Sequence, residues 1–375
     1  MSQSPRASIQ ECFSPLTDPR RRKVVYPLIN VVTIAICAVL CGADDFVAIA
    51  AFGRKKQKWL SKFLDLSAGI PSHDRFNAIL RALKVDEFQE CLLEFITAVH
   101  QVSDGQVVAI DGKTLRRSFD RATSKSAIHM VSAWASANHI SLGQVVVDEK
   151  SNEITAIPKL LQMLELSGCL VTIDAMGCQV DIARSIVDAG ADYVLAAKNN
   201  QPTLAQGVEA FFVEHSQDDF ARVDVRRHVT TDKGHGREER REYFVCRAPK
   251  QLPDRARWPK LAAIGMVFVC ALRNGVEHME CRYYILSKYL SAKRFAEAVR
   301  GHWSIENRLH WQLDVTFQED QCRIRKGNAD ANFSTLRRTA LSLLKNNHSE
   351  TVGIKNKRML AALDDDYLQE VLFAT

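Results

Sequence analysis

Two aspartates, Asp111 and Asp174, each follow an apolar run that predicts a β-strand. Small residues come directly after them, in QVVAIDGKT and CLVTIDAMG. Carboxylates at the carboxyl ends of neighbouring strands lie where ligands usually bind in an α/β sheet. A single Asp-Gly pair often does no more than start a turn, but two such strand ends favour a shared acidic site.

A third carboxylate, Glu306, lies in the stretch GHWSIENRLHW. At 3.6 residues per turn it shares a helix face with mostly apolar or aromatic residues, namely Val299, His302, Trp303, Leu309, His310, Leu313 and Phe317. A charge that faces an apolar interior is costly unless it is paired, hydrogen-bonded or bound to a metal. We therefore expect Glu306 to have a buried basic partner or a chemical role. Three later acids, Asp314, Glu319 and Asp320, are alternatives to Glu306 as the third carboxylate of the site.

Three carboxylates at one place suit a pair of Mg²⁺ ions, because Mg²⁺ prefers hard oxygen ligands with open coordination positions. Two ions about 4 Å apart activate a water or a 3′-hydroxyl and stabilise the leaving oxygen of a phosphodiester. Such an ion would also compensate the charge of Glu306. This chemistry needs no histidine base, so packing or hydrogen bonding is the preferred interpretation of His302 and His310.

The order of the predicted elements places these acids in one sheet. Residues 1–100 predict a helical N-terminal module that carries basic stretches and is a candidate for DNA binding. From residue 101, three strands precede a helix, a strand, a helix and a strand, which is the order of an RNase H-like mixed sheet. A β-rich insertion at about 218–287 interrupts this α/β alternation before helix returns with Glu306. We predict a catalytic domain at 101–348, followed by a helical tail at 349–375.

Composition excludes some classes of protein. An apolar content of 46% in 375 residues is typical of globular chains and excludes a largely disordered one. The net charge of +6 fits a nucleic-acid partner without establishing one. The ten cysteines form no CxxC pair, which indicates free thiols in a reducing cytoplasm. The apolar run Leu28–Cys41 is too short to cross a bilayer, so we expect no membrane association.

Five segments, in this order, resemble DDE transposases of the bacterial insertion-sequence type: AIDGKTLRRS, VTIDAMGCQ, DYVLAAKNNQPTL, GHGREERR and HWSIENRLHWQLDVTFQED. They are most similar to the branch that includes the H-repeat-associated proteins. The resemblance implies an RNase H-like core in which Asp111, Asp174 and Glu306 form the metal-binding triad. It also implies two Mg²⁺ ions, with Mn²⁺ as a substitute, and double-stranded DNA as the partner, both element ends and target. Pairing two ends implies a homodimer on DNA.

The chain departs from many relatives around Glu306. Those relatives carry a Tyr–Arg–Glu–Lys signature, and the places of its Tyr, Arg and Lys are held here by Val299, His302 and Leu313. Two alternative functions therefore stay open. One is an RNase H-like nuclease without strand transfer, and the other is a catalytically degenerate, domesticated DNA-binding remnant.

Several basic residues are candidates for contacts to DNA phosphates, because such contacts hold the backbone without reading its sequence. For each of them, solvated surface charge or an ion pair is the alternative interpretation. The candidates are Lys113, Arg116, Lys198, His235, Arg237, Arg241, His302, Arg325 and Lys326.

Overall fold

The computed structural model of the protein describes residues 9–21, 24–99, 106–119, 126–147, 152–234, 237–273 and 276–373. Its first part is helical, as predicted. The helices there are α1 (Ile9–Cys12), α2 (Leu28–Leu40), α3 (Phe46–Lys55), α4 (Gln57–Leu60), α5 (His73–Leu80) and α6 (Val85–Val99).

The apolar run that was too short to span a bilayer forms α2, in which residues 30–40 are all buried. The helix stops before Gly42, whose φ of 100° favours glycine. Ser72 caps the start of α5, since its side chain accepts a hydrogen bond from the backbone N–H of Arg75. None of the helices in the described residues is long and apolar enough to cross a membrane.

The centre of the molecule is one mixed sheet of nine strands. The first five are β1 (Val107–Thr114), β2 (His129–Ala135), β3 (Ile140–Val147), β4 (Leu170–Ile173) and β5 (Asp192–Ala197). They lie in the order β3-β2-β1-β4-β5, with β2 antiparallel to both β1 and β3, and with β4 and β5 parallel to β1. The predicted RNase H-like core is confirmed by this order.

The predicted β insertion is present but does not form a separate layer. Its strands are β6 (Val225–Gly234), β7 (Arg237–Arg247), β8 (Ala263–Arg273) and β9 (Val276–Leu286). Strand β9 pairs antiparallel with β5, from Val194 opposite Leu286 to Ala197 opposite Tyr283. The insertion therefore continues the core sheet in the order β5-β9-β8-β7-β6.

Helices cover both faces of the sheet. On one face lie α7 (Glu153–Gln162), α8 (Val180–Asp188) and α9 (Pro202–Ser216), which share an apolar core with the strands. On the other face, α10 (Ala292–Ser304) packs across β1, β4, β5 and β7. Helix α10 crosses the strands that precede or carry Asp111 and Asp174. The chain that follows α10, with Glu306, therefore lies close to the two aspartates.

The last helices are α11 (Trp311–Val315), α12 (Ala329–Asn346), α13 (Ile354–Leu363) and α14 (Asp365–Phe373). They share one apolar core with the N-terminal helices. Arg358 of α13 ties the two ends together, because its guanidinium donates to the backbone carbonyl of Val39 at 3.0 Å and pairs with Asp44 at 3.1 Å. The predicted divisions near residues 100 and 348 stay predictions, and helices on both sides of them pack as one body.

Candidate active site

The three predicted acids line one cleft at the edge of the core sheet. The cleft has a volume of about 150 Å³ and is bounded by Asp111, Asp174 and Glu306. Strands β1 and β4 run parallel and stay paired up to Ile110 opposite Ile173, so the next residue of each is a cleft aspartate. The sheet register thus explains why residues 63 positions apart in sequence meet.

Asp111 lies within β1 rather than at its end, because the strand continues to Thr114 along β2. Its Oδ1 accepts a hydrogen bond from the N–H of Gly112 at 2.9 Å, and its Oδ2 lies 3.5 Å from Nδ1 of His310. Burial, with smaller contributions from the carboxylates of Asp174 and Glu306, raises the pKa of Asp111 to about 7. The charged form of this side chain is therefore poorly stabilised by the protein alone.

Asp174 follows β4 in a tight turn. Its Oδ1 accepts hydrogen bonds from the backbone N–H groups of Met176 at 3.1 Å and Gly177 at 3.3 Å. A short aspartate side chain that bonds to the backbone two and three residues on holds such a turn. The same carboxylate thus holds the turn and lines the cleft. Asp174 is therefore both a turn residue and a member of the acidic site, the two interpretations that its sequence allowed.

The predicted burial of Glu306 is wrong. The chain from Ile305 to His310 forms a single π-helical turn between α10 and α11, and Glu306 is exposed on it. The buried residues are Ile305, Leu309, Leu313 and Phe317, which are spaced four apart. Because a π turn holds more residues than an α turn, it rotates Trp303 and Glu306 off the buried face that a 3.6-residue period predicts. Glu306 is exposed to the cleft instead of the core.

A hydrogen-bonded chain that the sequence analysis missed lies behind Asp111. Thr114 Oγ1 is 2.8 Å from Nδ1 of His129, and Nε2 of that ring is 2.6 Å from Oε1 of Glu153. The pair His129–Glu153 packs against Gly112, and any side chain there would overlap both residues. The Gly after Asp111 is therefore required by close packing within β1 rather than by a turn.

Gly112→Ala is expected to lower the free energy of unfolding by about 1–3 kcal/mol, since an added methyl group would overlap Glu153 and His129. Gly143→Ala, in β3, which β2 separates from β1, is the matched control because its nearest atoms lie 3.4 Å from an added Cβ. Urea unfolding of the two variants measures the difference. Equal stability of the two would contradict the packing of Glu153 against β1.

Burial lowers the pKa of both histidines beside Glu306, which disfavours their cationic forms. Nδ1 of His302 lies 3.4 Å from Oγ1 of Thr172 in the cleft wall, and burial lowers the pKa of His302. Burial, together with the charges of Arg338 and Lys113, lowers the pKa of His310 to about 3. The preferred interpretation, packing and hydrogen bonding, agrees with this geometry. A neutral His302 cannot attract phosphate as a cation, which argues against that predicted role.

Lys113 is not available for its predicted DNA contact. Its side chain is only 8% exposed, and its Nζ lies 2.6 Å from Asp314, 3.1 Å from Asp320 and 3.9 Å from Glu319. Glu319 also pairs with Arg338 at 3.1 Å. We refer to Lys113, Asp314, Glu319 and Asp320 as the Lys113 cluster. It accounts for the three rival acids, because all of them are held by this lysine.

The other predicted DNA contacts have mixed surroundings. Lys198 is exposed and lines the cleft. Arg241 pairs with Glu239 and with Asp232, the latter at 2.5 Å, so its charge is already compensated. His235 and the side chain of Arg237 lie outside the described residues.

Three further candidates lie near the exit of β1. The side chain of Arg116 is 80% exposed and touches Asp320 at 3.3 Å. Arg325 donates from Nε to the carbonyl of Arg117 at 3.1 Å, and the adjacent Lys326 is exposed. Arg325 thus lies against the segment that follows β1 and carries Arg116, and we refer to Arg116, Arg325 and Lys326 as the basic strip.

Arg282 and Trp303 are cleft residues that the sequence analysis did not single out. The guanidinium of Arg282 lies 4.7 Å from the ring centre of Trp303. Trp303 is 39% exposed and lines the cleft. Arg282 is drawn from β9 and so from the insertion. No local pattern in the sequence joins it to a residue of α10.

The cleft contains side chains of the type that bind cations, but they are not arranged as a complete coordination shell. Within the described residues, no group of three or more His, Cys, Asp or Glu side chains is arranged to hold a metal ion. The carboxylate oxygens of Asp111, Asp174 and Glu306 nevertheless fit a hard divalent cation. The groups that raise the pKa of Asp111 include the carboxylates of Asp174, Glu306 and Glu153 and no cation, so a bound positive charge would stabilise the ionised form of Asp111.

Comparison with known families agrees with this geometry. The family model of the transposase DDE domain matches residues 102–343, and the model described as DDE_Tnp_1-associated matches residues 10–96. The chain belongs to the DDE transposase family. Both the helical first part and the sheet domain of this DDE transposase are thus covered by models of one family.

Full-length relatives place the transposase in the predicted branch. It is 39% identical over 370 residues to "H repeat-associated putative transposase YhhI" of Escherichia coli (strain K12), with 97% of each chain covered. It is 40% identical to "Putative transposase YncI" of Escherichia coli O157:H7, over 97% of this chain and 94% of that one. The predicted resemblance to H-repeat-associated proteins is confirmed.

Two other matches are less informative. The transposase is 33% identical over 63 residues to "Inactive transposase YbfQ" of Escherichia coli (strain K12), which covers 17% of this chain and 75% of that one. A piggyBac transposase synaptic complex with hairpin DNA has a TM-score of 0.41 at 10% identity, over 96% of this chain and 75% of that one. The second likeness is too weak to bear on fold or function.

Proposed function

We propose that this chain is an active DNA transposase, which cuts DNA at the ends of an insertion element and joins the 3′ ends to target DNA in the cytoplasm. The observation that carries the proposal is the convergence of Asp111, Asp174 and Glu306 on one cleft. Divalent ions held by these carboxylates, Mg²⁺ or Mn²⁺ in its place, would supply activation of the attacking hydroxyl and stabilisation of the leaving oxygen.

The residues around the carboxylates keep them in place. Asp111 is oriented by the N–H of Gly112, and Asp174 by the two backbone N–H groups of its turn. His302 beside them is neutral, so it does not compete with a bound cation for the carboxylates. The site is thus arranged to bind cations between the two aspartates of β1 and β4 and the π turn that carries Glu306.

Cations at the rim are proposed to hold the DNA backbone. Lys198 is exposed in the cleft, where its ammonium would bind the phosphate next to the one attacked. The strip of Arg116, Arg325 and Lys326 would hold the duplex beyond the cleft. Since two element ends must be brought together before joining, we also propose that the protein acts as a homodimer on DNA.

The test is cleavage of duplex DNA that carries the sequences flanking this reading frame, with Mg²⁺ or Mn²⁺ and with EDTA. Asp174→Asn is expected to lower the rate of metal-dependent cleavage by about 1000-fold, which corresponds to about 4 kcal/mol of transition-state stabilisation. Asp188→Asn is the matched control, because Asp188 is exposed at the end of α8 on the other face of the sheet. Unchanged cleavage by Asp174→Asn would refute the assignment.

One alternative is supported by the surroundings of Glu306. The places of the relatives' Tyr and Lys are held by Val299 and Leu313, which are 6% and 0% exposed, and the place of Arg by neutral His302. A remnant that binds DNA without cutting it would have this arrangement. Metal-dependent cleavage by the unchanged protein excludes the remnant, and joined 3′ ends in a target plasmid exclude a nuclease without strand transfer.

A further inference from the structure

A cluster of positive charge lies beside the π turn that carries Glu306. Its members come from three elements: Arg308 from the π turn, His139 from the connection between β2 and β3, and Lys345 from the last turn of α12. Nη1 of Arg308 donates a hydrogen bond to Nε2 of His139 at 2.6 Å. We refer to these three residues as the Arg308 cluster.

No acid compensates this cluster within the part of the chain that the structure describes. Burial and the charges of Arg308 and Lys345 lower the pKa of His139 to about 4. Burial, with the charges of Arg308 and Lys357, lowers the pKa of Lys345 to about 8. Nδ1 of His139 is buried and has no hydrogen-bond partner among the described residues. Arg308 and Lys345 are therefore two cations that repel one another beside a neutral imidazole, and they leave a site suited to an anion.

One member of the cluster, Arg308, also lines a larger groove. Arg308 and Glu306 both line a groove of about 940 Å³, which runs between α10 and the insertion strands β7–β9. The groove is therefore continuous with the candidate active site, which also has Glu306 in its wall. A strand of DNA that enters the cleft has to leave along such a surface.

The other arginines of the groove are already paired. Arg241 and Arg300 both bind Asp232, at 2.5 and 2.6 Å. Arg282 binds Glu280 through two hydrogen bonds of 2.7 and 2.8 Å. Arg308 differs from them, because its partner in the described structure is a neutral imidazole rather than a carboxylate. Its guanidinium keeps both its full charge and further N–H groups for a ligand.

We propose that the Arg308 cluster binds a phosphate of the DNA backbone, next to the phosphodiester held at the candidate active site. The inference rests on the proposed function for the identity of the anion. His139 fixes one side of the guanidinium, so that the remaining N–H groups of Arg308 and the ammonium of Lys345 face the phosphate. The site supplies positive charge near Glu306, where this chain lacks the Arg and Lys of many relatives.

The test is the salt dependence of binding to a 30-base-pair duplex of arbitrary sequence, measured in EDTA so that no cleavage occurs. Each lost phosphate contact lowers the slope of log affinity against log salt by about 0.9, or about 8-fold in affinity at 0.1 M salt. Arg308→Gln with Lys345→Gln is expected to lower the slope by about 1–2. Arg308→Lys, which keeps the charge, is expected to retain more of the slope than Arg308→Gln.

The matched control is Arg184→Gln with Lys250→Gln, which removes the same charge from exposed residues, one on α8 and one after β7. An equal fall in slope for both pairs, or no fall for the Arg308 pair, would overturn the proposal. Thermal unfolding of each variant checks that it is folded. Inorganic phosphate, added at constant ionic strength, tests whether the site binds free phosphate rather than DNA. If phosphate raises the unfolding temperature of the unchanged protein but not of the Arg308 pair, while both proteins have the same salt slope for DNA, the site binds small anions instead.

The outcome is separable from that of the proposed function. A lowered slope in a protein that never cleaves DNA keeps the phosphate site and removes the catalytic role. An unchanged slope in a protein that cleaves normally removes the phosphate site alone.

Discussion

Replacing Asp111 by Asn is expected to abolish metal-dependent cleavage and, without divalent cations, to stabilise the protein above pH 7. The pKa of Asp111 is about 7 in the folded protein and about 3.9 in an unfolded chain. Between these values the folded state binds the extra proton, so the free energy of unfolding falls as the pH rises. Asn has no proton to lose, so the variant is expected to avoid a loss of about 2–4 kcal/mol.

Urea unfolding in EDTA at pH 4 and pH 8 measures this effect, with Asp188→Asn as the control for removal of one surface charge. The difference between Asp111→Asn and the unchanged protein should be present at pH 8 and small at pH 4. Adding Mn²⁺ at pH 8 should then stabilise the unchanged protein and not the variant, because only the former binds the ion. A variant that is less stable than the unchanged protein at pH 8 would contradict the buried, uncompensated state of Asp111.

Replacing Lys113 by Met is expected to have the largest effect on stability. The ammonium is buried among Asp314, Glu319 and Asp320, and removing one partner of a buried ion pair leaves charge without compensation. Such losses cost about 3–5 kcal/mol. Lys250→Met is the control, because Lys250 is exposed. Thermal or urea unfolding of both variants gives the comparison.

The mechanism behind that loss can be separated from a simple packing defect. Adding Asp314→Asn and Asp320→Asn to Lys113→Met removes the charge that the lysine compensates. The triple variant is expected to regain much of the lost stability, since the one carboxylate left in the cluster, Glu319, is still paired with Arg338 at 3.1 Å. If the triple variant is no more stable than Lys113→Met, the lysine stabilises the fold through its aliphatic chain.

Much of the fold could be predicted from the sequence, because the strands around Asp111 and Asp174 are apolar runs with clear ends. The parallel pairing of β1 and β4 then brings both acids to one edge of the sheet. The insertion was visible as β-rich sequence. Its pairing with β5 depends on residues about 90 positions apart and has no local signal.

The errors have physical causes of the same kind. The periodicity around Glu306 assumed a regular α-helix, and one π turn was enough to move Trp303 and Glu306 off the buried face. Lys113 reads as a surface cation in DGKTLRR, but Asp314 and Asp320 lie about 200 residues away in sequence. Burial of a charge is decided by such distant partners, so a local motif could not have predicted it.

The common core of the first and last helices constrains how the chain is made. The buried residues of α2 pack against α12, α13 and α14, which leave the ribosome only after some 300 further residues. During synthesis the apolar face of α2 that packs against these helices therefore stays exposed until they have been made. A message broken between residues 306 and 329 would yield a chain with the two cleft aspartates and Glu306 but without the last helices that cover α2. Such a product is expected to aggregate rather than to compete with the complete protein for DNA.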